Sequence, residues 1–111
     1  MLDNITVTTR GEIIAQEDVG DQPHVGKVWR YNIATDTLEL VAQHDPDRFA
    51  PGGSKFLTID EESSGVIPVD SILGDGWYLL DVQAHYFTDS ELVEGGQLLA
   101  MHLPSVRNRR K

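Results

Sequence analysis

The spacing of its alternating segments constrains this chain most. Ile5-Thr6-Val7-Thr8 is rich in β-branched residues, and Thr9-Arg10-Gly11 follows as a short turn before Glu12-Ile13-Ile14-Ala15-Gln16. That pair reads as a hairpin. Lys27-Val28-Trp29-Arg30-Tyr31-Asn32 alternates apolar and polar, Ala34-Thr35-Asp36 is a turn, and Thr37-Leu38-Glu39-Leu40-Val41-Ala42 alternates again. Segments so short and so close together have no room for crossover helices. They must pair as antiparallel neighbours, so the first part of the chain reads as four short strands in series.

A second set follows. Lys55 to Ile59 reads as a strand. Val66-Ile67-Pro68-Val69 is apolar, but Pro68 restricts it to an edge or irregular segment. Trp77-Tyr78-Leu79-Leu80-Asp81-Val82 is a near-continuous apolar run, which suits a strand covered on both faces, and Gln97-Leu98-Leu99-Ala100-Met101-His102 is the last strand. No long stretch carries a helical period bounded by caps. Ser71 to Leu73 and Ser90 to Val93 read as single helical turns. The expectation is an all-β chain of about seven or eight strands with almost no helix.

The two sets resemble each other. Gly11-Glu12-Ile13-Ile14-Ala15 matches Gly76-Trp77-Tyr78-Leu79-Leu80 in position, and Gly26-Lys27-Val28-Trp29-Arg30-Tyr31 matches Gly96-Gln97-Leu98-Leu99-Ala100-Met101. A four-stranded unit repeating with variable loops is the pattern of propeller blades, so the fold expected is two blade-like antiparallel sheets, a partial β-propeller. The alternative is a small barrel or sandwich, which also hides sheet edges. Residues 1–106 read as one domain, with blade-like units at about 3–43 and 54–103, and 107–111 as a basic tail. The second unit lacks a fourth strand.

Composition narrows the function classes. The chain has 111 residues, a formal net charge of −9 and no cysteine. Disulfides, thiolate metal sites and cysteine nucleophiles are therefore excluded. Arg107, Arg109, Arg110 and Lys111 hold four of the nine basic residues, so the body before them carries all eighteen acidic ones against five basic. Such a body repels nucleic acid and anionic membranes and suits cations. Apolar runs of a few residues fall far short of the roughly 20 that a membrane-spanning helix needs. Met1-Leu2-Asp3-Asn4 lacks the basic start and apolar stretch of a secretion signal.

Acidic residues gather at strand ends, as Glu17 with Asp18, Glu61 with Glu62, and Asp81 after the apolar run. Calcium takes six to eight oxygen ligands, so carboxylates converging from different strands are what a site needs. His85 lies four residues after Asp81, an even step that puts both on one strand face. Glu17, Asp18, Glu61, Glu62, Asp81 and His85 are therefore the candidate metal ligands. His24 sits in a loop and reads as exposed. Gly52-Gly53-Ser54-Lys55 lacks the spacing of a phosphate-binding loop, no Gly-x-Ser-x-Gly elbow occurs, and no residue is assigned a catalytic role.

Several segments resemble the C-terminal part of the PhoX-like family of secreted alkaline phosphatases. They are Asp3-Asn4-Ile5-Thr6-Val7, Gly11 to Asp18, Gly26 to Tyr31, Asp60-Glu61-Glu62-Ser63-Ser64-Gly65-Val66-Ile67, Trp77 to His85, and Glu91 to Leu99. The resemblance implies a β-propeller whose central channel holds calcium and iron, phosphate-ester hydrolysis at that cluster, and an exported or periplasmic parent. The chain departs from the family in having no cysteine, which the family's iron site uses, and in covering only part of a full ring. The expectation is a chain inactive alone that pairs as a homo-oligomer. The second expectation is a non-catalytic, self-associating β module.

Overall fold

A computed structural model describes residues 1–104. Strands β1 (Leu2–Val7), β2 (Glu12–Glu17), β3 (Lys27–Asn32) and β4 (Thr37–Gln43) form one antiparallel sheet in that order. Strands β5 (Glu61–Pro68), β6 (Trp77–Phe87) and β7 (Glu94–His102) form a second. Neither closes into a barrel, so the fold is all-β with two open sheets of four and three strands. Two single-turn helices, α1 (Pro46–Phe49) and α2 (Asp70–Leu73), sit in the connections. The basic tail at 107–111 lies outside the described residues.

The period of two explains the first sheet. Ile14, Val28 and Arg30 point inward and are buried, while Ile13, Trp29 and Tyr31 alternate outward and are only half-buried. The inner faces of the two sheets pack on each other through Ile14 and Val28 from one side and Val66, Tyr78, Leu80 and Leu103 from the other. Tyr78 is fully buried, and its hydroxyl accepts a hydrogen bond from Arg10 Nη2 at 3.1 Å.

The strands β1 and β5 run in the same direction. Asn4 lies by Ser64 near their starts, and Arg10 reaches Asp70 at 3.0 Å just beyond their ends. The sheets are thus two similar meanders stacked with their first strands side by side.

One expectation needs correction. Lys55 to Ile59 is not a strand. Its backbone wraps α1 instead, with Lys55 N donating to Asp47 O and Leu57 N to Arg48 O. The strand of the second unit begins later, at Glu61, and runs through the Glu-Glu-Ser-Ser sequence. Ser90 to Val93 closes as the expected single turn, with the i→i+4 bond from Val93 N to Asp89 O at 2.8 Å. Pro68 does end an edge strand, as its missing N–H requires.

Candidate functional site

Two polar clusters lie along the line where the sheets meet, one open and one closed. The open cluster forms because β2 and β5 continue toward each other at one end. The backbones of Asp18 and Glu62 make an antiparallel bridge there. Asp3 joins them from β1, and the ligand atoms of Asp3, Asp18 and Glu62 all lie within 4.8 Å of one another. Burial raises the Glu62 carboxyl above its ordinary range, and the neighbouring Asp18 carboxyl adds to that rise. On the same face, His85 Nδ1 lies 2.9 Å from Glu94 Oε2, and that hydrogen bond raises the imidazole above its usual value.

The closed cluster lies between the inner faces. Glu61 alternates inward from Glu62 and is fully buried. Its Oε1 accepts from Gly26 N at 2.8 Å and stands 3.3 Å from His44 Nδ1. Gln16 Nε2 donates to Ser63 Oγ nearby. Glu61 Oε2, His44 Nε2 and Gln16 Oε1 are buried without a hydrogen-bond partner. His44 also lines a half-open cleft of about 340 Å³ with Arg48, Phe49, Val82, Gln97 and Leu99.

The six residues singled out from the sequence divide accordingly. Asp18 and Glu62 come together. Glu61 turns to the opposite face and serves the sheet-to-sheet contact. Glu17 accepts from Trp29 Nε1 at 2.9 Å and from Lys27 N at 3.1 Å, which ties β2 to β3 across the outer face. Asp81 lies in the middle of β6, not at a strand end, opposite Ser64, and its Oδ1 is buried without a partner. His85 shares its face, as the even spacing requires, but pairs with Glu94. Asp3 and His44 had no signal in the sequence, because each is placed by contacts between distant segments.

The open cluster offers carboxylate oxygens alone, donors suited to a hard cation such as calcium. Three carboxylates are part of a coordination shell and not a whole one. Iron held by a thiolate does not fit a chain without cysteine. Comparison with known families, curated proteins and solved structures gave one answer. No family, protein or structure matches this chain.

Proposed function

We propose that this chain is a pair of consecutive blades from a β-propeller of the PhoX type, and that it carries no turnover alone. The observation supporting this is the stacking of two meanders in one direction with their first strands side by side. Successive blades of a ring meet in that way around a channel. On this reading Asp3, Asp18 and Glu62 are the carboxylates that the pair turns toward the channel. A calcium ion bound there would supply charge neutralisation and a docking point for a phosphate ester. The chain's own residues would hold that ion, with Asp18 and Glu62 brought together by their backbone bridge and Asp3 closing the third side.

The test is thermal unfolding with and without millimolar calcium, alongside turnover of a generic phosphomonoester. The reading requires a higher midpoint with calcium, loss of that shift in Asp18→Asn and Glu62→Gln, and no measurable turnover. Robust turnover abolished by Asp81→Ala would replace it with an autonomous enzyme. A midpoint indifferent to calcium would leave the second reading, a self-associating β module, which the exposed apolar faces described next favour.

A further inference from the structure

The outer faces of both sheets are apolar and uncovered. On the four-stranded sheet, Val7, Ile13, Tyr31 and Leu38 form one cross-strand row, and Ile5, Ala15, Trp29 and Leu40 form the next. Ile5, Val7 and Leu38 are each 60% exposed or more. On the three-stranded sheet, Ile67, Leu79 and Ala100 form a row beside the stacked rings of Trp77 and His102. Leu98 on that face is 79% exposed. Both apolar zones lie toward the same end of the stack, the end where β1 and β5 finish. The acidic residues Asp3, Glu17, Glu62 and Glu94 lie toward the other end.

We infer that these two faces are the halves of one head-to-tail junction, in which the outer face of the three-stranded sheet receives the outer face of the four-stranded sheet of a second copy. The inference rests on the blade-pair reading and names its partner. Continuity with the contact inside the chain is the first argument. Repeating the same step from one sheet to the next, in the same strand direction, brings apolar rows onto apolar rows. Area is the second. A face of four strands, each six residues long, presents roughly 400 Å² of sheet. One such face falls short of the roughly 800 Å² per partner that a stable association buries, whereas two faces per copy reach it. Charge is the third. The chain carries −9 overall, yet the two rows of the four-stranded sheet and the row of Ile67, Leu79 and Ala100 hold no acidic residue, and Asp81, opposite Leu98 on that face, has its Oδ1 buried, so these rows are where copies can approach. Head-to-tail contacts that close give rings, and rings of about four to eight blades take two to four copies.

The experiment is sedimentation of Leu38→Glu, Leu98→Glu and their equimolar mixture, each checked for an unchanged far-ultraviolet spectrum. Both side chains are exposed, so the fold tolerates the change. Each variant alone should sediment as a monomer of 12.3 kDa. At high concentration the mixture should gain a species of twice that mass that neither variant forms alone, held more weakly than the unmodified assembly because each pair retains only one intact junction. Assembly that survives Leu98→Glu but not Leu38→Glu means a two-fold pairing of one face and overturns the inference. So does a mixture that at the same high concentration associates no more than either variant alone. A monomeric unmodified chain that still gains stability with calcium overturns the junction and leaves the blade pair. An intact assembly that ignores calcium does the reverse.

Discussion

Glu61 on β5 and His44 just after β4 meet between the sheets, with 3.3 Å from Oε1 to Nδ1 and both side chains buried. The same oxygen accepts the Gly26 N–H at 2.8 Å, so one carboxylate fixes the end of β4, the start of β3 and the new sheet. Removing it strands two donors in a closed space. Glu61→Ala should lower stability by about 2–4 kcal/mol in urea unfolding. Glu61→Gln keeps an accepting oxygen and should cost less than half as much. Equal losses would mean that packing, and not the acceptor, is what Glu61 contributes.

Tyr78 is the largest fully buried side chain of the contact between sheets. Tyr78→Ala should cost about 3–5 kcal/mol, as truncation of a buried aromatic does. Tyr78→Phe removes only the bond from Arg10, a side chain that is partly exposed, and should cost about 1 kcal/mol. Chemical denaturation of the two variants separates ring packing from the hydroxyl.

Gly76 precedes β6 with φ of +82°, and a Cβ there would run into the Leu103 carbonyl oxygen. Leu103 N donates to Gly76 O at 2.8 Å, so the clash falls on the bond that holds the chain's return to the core. Gly76→Ala should lower the thermal midpoint through both the left-handed backbone and the lost closure. Gly52 has the same φ of +82° but open space around it, so Gly52→Ala carries strain alone and should shift the midpoint less.

The strands legible in the sequence were those rich in β-branched and aromatic residues. Lys27 to Asn32 shows Val28, Trp29 and Tyr31, although its inward side carries the charged Arg30 beside Val28. The first half of β5 was hidden because its inward residues, Glu61 and Ser63, are polar and hydrogen-bonded to Gly26, His44 and Gln16. No hydrophobic period marks such a strand. Helix α1, with Asp45 as cap and Pro46 at its start, is too short for periodicity to show. For the site, acid pairs in sequence marked Asp18 and Glu62. Nothing in the sequence told Glu61 from Glu62, because one residue's difference in alternation sends the first into the core and the second to the edge.

The pH dependence follows from two raised groups. Glu62 is raised in the folded state above its ordinary value of 4.5, so the folded chain binds more protons there than the unfolded one. That contribution is fully present below 4.5 and is lost as pH rises through the folded value. His85 is raised above 6.5, chiefly by its bond to Glu94, and its contribution is likewise present at low pH and lost as pH rises through the folded value. Stability should therefore fall with pH through both windows. Glu62→Gln should flatten the lower one and Glu94→Gln the upper. Excess calcium, by holding Glu62 ionised in the folded state, should reverse the slope of the lower window. Thermal melts in a pH series, with calcium and with chelator, read all of these shifts.

The claim that two stacked sheets leave two apolar faces for further blades is tested most directly by the mass of the unmodified chain in solution. Sedimentation equilibrium across a dilution series from micromolar concentration should give two to four times 12.3 kDa. A single species of 12.3 kDa at every concentration, with a native β spectrum, would contradict it and mark the two sheets as a self-contained fold.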